Sequence, residues 1–517
     1  MSVDAPGGGV GHARLLASGS LVQQAAQVTG LVAMFAIVTV LARRLSLSEF
    51  GVYGLLTSFA GYLLLVQNAA AGAAVRTMAA APDPSSRRAA FSTALALYGV
   101  AGLLTGAVLA LVGVLIAAGL ELPDDVERQA RLGAALLGVV TALGWPMTIY
   151  RDALRASQLF VRAAFTEMAA LATYVALVLA LVYAGASLAV VIAASGSIPL
   201  LVGVGSLAVA RASDVPVSFG RDAVTRQARG ELLGTAGYLS LTEAAAAAIY
   251  AIDRVILGLF RSARTVGLYE GPIRAHNLIR ALNAAVTVTV LPSAARYYSS
   301  SDSRRLGELL LRGSRYTLAL IVPLTVTGMV LAGPILGAWL GDDFRRAGPA
   351  MAILLSHWLL NGCSGVAMSL LVGVGRAREV ARYAMGVATG NVVLALALTP
   401  PFGLEGVALA TAVPYAALFP VLIVPALSAT PLGGAVLARE SFLPTWSLGA
   451  VLAAALVGLR LVADPTTAPS VMCAALVGPL AYWLVFYAVW LRPDEQRLVL
   501  DVARGLVPSR LRARPGG

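Results

Sequence analysis

Apolar residues recur along the chain in stretches of about 20, separated by short polar links, and that is the length of helix that crosses a bilayer core of about 30 Å. The pattern predicts fourteen spans, at about 18–42, 50–74, 90–118, 131–150, 161–184, 187–210, 231–260, 267–292, 316–340, 347–373, 380–400, 403–426, 443–463 and 470–491. The first is too long for a cleavable signal and is followed at once by Arg43, Arg44 and a second span. A junction between spans is repeated. Val40-Leu41-Ala42, a polar link and Phe50-Gly51-Val52-Tyr53 return 216 residues later as Ile256-Leu257-Gly258, a link of equal length and Val266-Gly267-Leu268-Tyr269. The glycine suits a tight turn with close helix approach, and the tyrosine suits the aromatic belt at a membrane interface.

Each half then holds six spans, an even number, so both halves start on the same side and the repeat is parallel. Parallel repeats about an axis along the membrane normal are a transporter architecture with the substrate site between the halves. The predicted organisation is a six-helix bundle over 1–210, a cytoplasmic loop over 211–230, a second six-helix bundle over 231–427, two extra helices over 428–491 and a basic tail over 492–517. The extra helices follow the Pro/Gly-rich link Ser428-Ala-Thr-Pro-Leu-Gly-Gly434.

Composition agrees with this reading and narrows it. Of 517 residues, 58% are hydrophobic and 12% charged, against about 25% charged in a soluble domain. A soluble enzyme, a disordered chain and a secreted disulfide scaffold are excluded. All 38 basic residues are arginine, so there is no Walker A lysine and no Schiff-base lysine. Cys363 and Cys473 sit in apolar runs and are expected to be buried thiols, and His12, His276 and His357 are too scattered for a zinc motif. No metal, catalytic group or cofactor is expected, and no nucleic-acid site.

The net charge of +12 is mostly topological. Placing the N-terminus in the cytoplasm puts the Arg-rich loops 211–229 and 296–315 and the tail 492–514 inside, and the acidic loop Glu121-Leu-Pro-Asp-Asp-Val-Glu127 outside. Both termini are therefore expected in the cytoplasm. The tail pairs an apolar stretch from Leu498 to Leu506 with Arg510, Arg512 and Arg514, a pattern suited either to the anionic inner leaflet or to a solvated terminus.

A smaller set of polar residues falls at bilayer depth, where a charge needs a pore, a partner or a function. In the eighth span His276, Arg280, Asn283 and Thr287 form one helical stripe, widened by Arg274 and Asn277. The seventh supplies Glu243, Tyr250, Asp253 and Arg254. The first half answers with neutral groups: Gln23, Gln24, Gln27, Gln67 and Asn68. Its charges Arg76 and Glu167 lie near the cytoplasmic ends. Such groups either glue helices by hydrogen bonds or line a site. Arg254, Arg274 and Arg280 against Glu243 and Asp253 leave the second bundle net positive by one, with Arg76 and Arg296 adding charge at the cytoplasmic mouth. Arginine reads phosphate through planar, bidentate hydrogen bonds, so the implied cargo is an amphiphile with an anionic phosphate head. Asp253 reads either as a structural acid or, with Glu243, as a group coupling transport to an ion gradient.

Leu41-Ala-Arg-Arg-Leu-Ser-Leu-Ser-Glu-Phe-Gly-Val-Tyr53 and Asp253-Arg-Val-Ile-Leu-Gly258, leading to Val266-Gly-Leu-Tyr269, carry a resemblance to a known family. Leu291-Pro-Ser293, Trp339-Leu-Gly-Asp-Asp-Phe344, Leu371-Val-Gly-Val-Gly-Arg376 and Phe402-Gly-Leu-Glu-Gly-Val-Ala408 continue it in order. The chain resembles Wzx-like flippases, the polysaccharide-transport branch of the multidrug/oligosaccharidyl-lipid/polysaccharide (MOP) exporter superfamily. The resemblance implies a MATE-like all-α membrane fold, alternating access in the bacterial cytoplasmic membrane, and an undecaprenyl-pyrophosphate-linked oligosaccharide as substrate. By it, Arg274, Arg280, Arg254, His276, Asn277, Asn283, Arg76 and Arg296 would bind the pyrophosphate and sugars, and the last two helices would form a groove for the polyprenyl tail. It also implies membrane lipids, a polysaccharide polymerase and glycosyltransferases as neighbours, with coupling to a proton or sodium gradient left open. Three other readings compete: a drug or cation antiporter of the same superfamily, a membrane polymerase or glycosyltransferase, and a transport-dead scaffold. The first would need an acidic cavity and the second a sizeable outward loop.

Overall fold

A computed structural model describes residues 30, 33–120, 122–220, 222–224, 229–230, 253–287, 289–463, 467–491, 493 and 495–497, and these are helical with no strand. Nine helices among the described residues are long and apolar enough to cross a membrane, or eleven if each of two bent pairs is one span. The chain is a multi-pass, all-α membrane protein. Predicted spans 1 and 7 lie largely outside the described residues, as do Gln23, Gln24, Gln27, Glu243, Tyr250 and the tail beyond 497.

Local chemistry sets where these helices begin. Ser46 and Glu49 form a reciprocal cap, Ser46 N–H donating to Glu49 Oε2 (2.8 Å) and Glu49 N–H to Ser46 Oγ (3.3 Å), and this starts the helix Leu47–Ala80. Asp83 caps Pro84–Gly119 by accepting from the Ser86 amide (2.8 Å) and the Ser85 and Ser86 hydroxyls. Those hydrogen bonds hold its carboxyl down at about 2. Asp124, Asp125 and Glu127 fill the first turn of Asp124–Met147, where carboxylates complement the amide end of the helix.

The outer faces are apolar. Leu461 is 83% and Val462 90% exposed on Leu443–Ala463, and Leu103, Leu111 and Leu115 stand out from Pro84–Gly119. Water would not tolerate these faces, whereas a bilayer solvates them. The same logic corrects the expectation for Cys473: it is exposed on Ala468–Val489 beside exposed Met472 and Leu476, while Cys363 is buried. An apolar run in a membrane helix does not say which face is inside, because lipid accepts a thiol as readily as a core does.

The chain forms two compact units, Met1–Glu270 with Thr399–Leu404, and Gly271–Leu398 with Glu405–Gly517; their boundary falls inside the helix Ala263–Thr287. In the first unit Pro84–Gly119 and Asp124–Met147 form a hairpin closed on glycine. A Cβ on Gly106 would lie 2.4 Å from the Gly138 carbonyl, and one on Gly138 equally close to the Gly106 carbonyl. Close backbone approach of this kind is how helices associate without a hydrophobic drive. In the second unit Ser303–Val330 is the central helix, and the two extra helices pack on it. Trp483 Nε1 donates to the Ala319 carbonyl (2.9 Å), and Tyr482 Oη ties one extra helix to the other at the Thr445 carbonyl (3.1 Å). Beyond Ala468–Val489, Glu495 is buried against Arg315 and accepts from Tyr316 Oη (2.6 Å). The extra helices are thus integral to the second unit.

Candidate functional site

The repeated junction is a contact in the first unit. Leu47–Ala80 and the start of Ala263–Thr287 cross at Gly51 and Gly267. A Cβ on Gly51 would fall 1.9 Å from the Ala263 carbonyl oxygen, and one on Gly267 would fall 2.3 Å from the Leu47 carbonyl oxygen. Leu47 and Ala263 are themselves repeat partners, as are Gly51 and Gly267. The contact is reciprocal, as it must be when equivalent segments meet about a pseudo-two-fold axis. The glycines serve close approach within helices and make no turn. Tyr53 and Tyr269, expected in an interfacial belt, are buried (4% and 0% exposed). Tyrosine suits either place, and a repeat contact offers a buried one.

One turn further along, Glu270 completes this crossing. Its carboxylate Oε1 lies 2.7 Å from Arg254 Nε, both side chains being almost wholly buried. A Cβ on Gly54 would sit 2.5 Å from Glu270 Cδ, so the absent side chain leaves the space the carboxylate occupies. Asp253, also buried, precedes Arg254 on the same turn. Glu270 was missed in the sequence because it lies only one residue past the tyrosine of the repeat, outside the polar stripe of its helix. Counting it evens the formal charge of the second half and gives Arg254 a buried anionic partner.

In the second unit the stripe on Ala263–Thr287 divides. His276, Asn283 and Thr287 are buried, Arg274 and Asn277 half-buried, and Arg280 exposed. The buried members face a broken span, Asp342–Asn361 followed by Ser364–Gly373, which bends by 45°. The bend frees backbone groups that lipid cannot satisfy. Asn283 Nδ2 donates to the Gly362 carbonyl (2.5 Å). Asn361 Nδ2 donates to the carbonyls of His357 (3.2 Å) and Tyr415 (2.9 Å), and Tyr383 Oη holds Asn361 Oδ1 (2.9 Å). A Cβ on Gly365 would strike Asn283 Oδ1 at 2.4 Å, which keeps this position small.

His276 sits at the same break. Trp358 Nε1 can only donate and lies 3.2 Å from His276 Nδ1, so Nδ1 is the accepting nitrogen. His357 Nε2 approaches the same atom at 3.4 Å, and its ring stacks on Tyr415 at 4.6 Å. His276 and Asn283 are therefore engaged in shaping the bend, while Arg280, one turn beyond His276, is exposed. Arg296 is exposed on Val290–Ser299, and Arg76 is exposed near the end of Leu47–Ala80.

The first unit holds a charged cluster of which the sequence pointed only to Glu167. Tyr98 Oη donates to Asp152 Oδ2 (2.9 Å), Arg151 Nη2 lies 2.9 Å from Asp152 Oδ1, and Arg155 Nη2 lies 2.6 Å from Glu167 Oε1. Arg151, Asp152 and Arg155 lie just past the predicted end of the fourth span at 150; the structure continues it through Ile149–Ala156 after a break at Thr148. At that break Thr148 Oγ1 donates to the Trp145 carbonyl and accepts from Gln67 Nε2, each at 2.8 Å. Gln67 acts as interhelical glue.

A family model described as polysaccharide biosynthesis protein matches residues 40–349, about three-fifths of the chain. The chain belongs to this family of polysaccharide biosynthesis proteins. Two curated relatives come from Haloferax volcanii. The probable low-salt glycan biosynthesis flippase Agl15 is 24% identical over 165 residues, which are 32% of this chain and 35% of the relative. The probable flippase AglR is 27% identical over 163 residues, 31% of this chain and 34% of the relative. The chain thus spans about a third of the length of these relatives. Among solved structures, the lipid II flippase MurJ in an inward closed conformation matches with a TM-score of 0.72 at 15% identity, covering 93% of this chain and 99% of that one. An inward-facing multidrug resistance MATE family transporter of the MOP superfamily matches at 0.61 and 14%, covering 77% and 93%. At such identities the likeness is one of fold, and it agrees with the MATE-like all-α membrane fold that the resemblance implied.

Proposed function

We propose that the protein is a flippase that moves an undecaprenyl-pyrophosphate-linked oligosaccharide, or a similar anionic lipid-linked saccharide, across the bacterial cytoplasmic membrane by alternating access. It serves polysaccharide biosynthesis and is no enzyme. The observation that carries the reading is a fold like that of a lipid II flippase over nearly the whole chain, in a member of a polysaccharide biosynthesis family.

Electrostatics supports an anionic cargo. Arg280 is exposed on a helix whose buried members His276, Asn283 and Thr287 are committed to packing, and half-buried Arg274 lies on the same helix. A guanidinium in a low-dielectric, partly dry setting binds a pyrophosphate strongly and with defined geometry. Arg254 pairs with Glu270 at 2.7 Å at the repeat crossing, and we assign phosphate recognition to Arg280 and Arg274. With both termini in the cytoplasm, as the arginine asymmetry favours, exposed Arg76 and exposed Arg296 would each lie on the side where lipid-linked sugars are assembled.

The test is cellular. Deleting the gene should make lipid-linked sugar intermediates accumulate on the cytoplasmic side, and complementation should restore export. Normal export with no accumulation in the deletion strain would reject the reading.

A further inference from the structure

A groove of about 720 Å³ runs along the surface of the first unit between Phe160–Tyr183 and Ile198–Ala212. Its floor is made by Thr166, Ala169, Ala170 and Gly205, small residues at helical spacing. Arg162 and Thr173 line it as well, so at 1.5 Å per residue the trough is about 16 Å long. Beside it Phe165 is 64% and Val204 54% exposed, so the opening faces hydrocarbon.

One end differs from the rest. Arg162, in the first turn of one helix, donates to Ser213 Oγ at the end of the groove and stays exposed. Arg211, in the last turn of the other helix, is exposed at the same end. The acid nearby is Asp214, which sits at φ 52° in the turn that stops the helix. At these two helix ends, among the described residues, the chain thus presents two arginines and one acid. Glu167, on the same helix as Arg162, is occupied by Arg155 at 2.6 Å.

We infer that this groove is a binding site for an anionic phospholipid, with one acyl chain in the slot and the phosphate on Arg162 and Arg211. An apolar slot alone would take any chain. The guanidinium pair at its mouth makes it select by headgroup, since arginine reads phosphate with paired donors. The arginine asymmetry puts this end at the inner leaflet, where anionic lipids supply a matching negative surface. A bound chain also gives dispersion partners to groove atoms that otherwise face a void.

The experiment uses the full-length protein, stripped of lipid and reconstituted in phosphatidylcholine vesicles containing one-fifth phosphatidylglycerol, with retained lipids counted by native mass spectrometry. The wild type should retain phosphatidylglycerol in preference to phosphatidylcholine. Arg162→Ala should reduce that preference about five-fold, the weight of one basic residue at an anionic surface. Gly205→Leu fills the slot without backbone conflict, since a Cβ there meets only Thr166, at 3.8 and 3.9 Å; it should abolish retention while thermal unfolding stays near that of the wild type. Equal retention of both lipids by the wild type, or an unchanged preference in both variants, overturns the proposal. Lipid counting needs no transport, so the outcome is independent of whether the protein is a flippase.

Discussion

Substituting Gly51 by alanine probes the repeat crossing most sharply. The added Cβ would lie 1.9 Å from the Ala263 carbonyl oxygen and 2.8 Å from the Gly267 amide nitrogen, both backbone atoms that no rotamer change can move. Ordinary contact needs more than 3 Å, so the two helices must separate by over an ångström at their closest point. Overpacking of this kind costs about 1–3 kcal/mol, while alanine regains about 1 kcal/mol of helix propensity over glycine. A net loss of up to about 2 kcal/mol is expected, and a gap of about 1–3 kcal/mol from a variant that gains the same propensity without the clash. Thermal unfolding of the purified protein, calibrated against Gly72→Ala on the same helix, where nothing lies within 4 Å, is the assay. Gly72→Ala should be neutral or mildly stabilising and Gly51→Ala clearly destabilising. Gly267→Ala should resemble Gly51→Ala, and the double variant should cost less than the two single losses combined, because helices already pushed apart accept the second methyl. Equal unfolding temperatures for Gly51→Ala and Gly72→Ala, or strict additivity of the pair, would refute the crossing.

Other consequences follow from the buried polar groups. Glu270→Gln removes a carboxylate from the buried Arg254 at 2.7 Å and should cost about 3–5 kcal/mol, read by denaturation; Glu270→Gln combined with Arg254→Met should recover part of the loss. Asn283→Ala takes the donor from the Gly362 carbonyl at the bend and should cost about 1–3 kcal/mol, with faster hydrogen exchange confined to the bent span near 357–366. For Asp83, a carboxyl held at about 2 against an ordinary 3.8 stabilises the fold fully above 3.8 and loses that effect as pH falls through 2. The stability gap between wild type and Asp83→Ala should therefore be constant from neutrality down to about pH 4 and shrink below it; a gap that instead widens on acidification would contradict the cap.

Much of the architecture was legible because membrane helices announce themselves by length and apolarity. The two glycines of the helix crossing were legible too, since Gly51 and Gly267 stand at equal offsets from equal links. Pairing across the fold was harder. Glu270 lies near Arg254 only because a short link folds one helix back on the other. His276, Asn283 and Thr287 marked a polar face, but hydropathy could not tell whether that face met a cavity or a bent span with exposed carbonyls; the Gly362 carbonyl decides it. The Tyr98, Arg151 and Asp152 cluster was hidden because the apolar run of the fourth span gives out at 150, while the helix itself runs on to Ala156. Cys473 and the two buried tyrosines show the reverse limit: composition gives the environment's polarity and not the side of the helix.

The central claim is that Arg280 helps carry an anionic lipid-linked saccharide across the bilayer. The direct measurement is translocation of a fluorescent polyprenyl-pyrophosphate-linked oligosaccharide in proteoliposomes by the wild type and by Arg280→Ala. Loss of charge-assisted hydrogen bonds worth about 1.5–3 kcal/mol should slow the variant by about ten- to a hundred-fold, with insertion and unfolding temperature unchanged. Wild-type rates in Arg280→Ala, or no movement of this substrate by the wild type, would contradict the account.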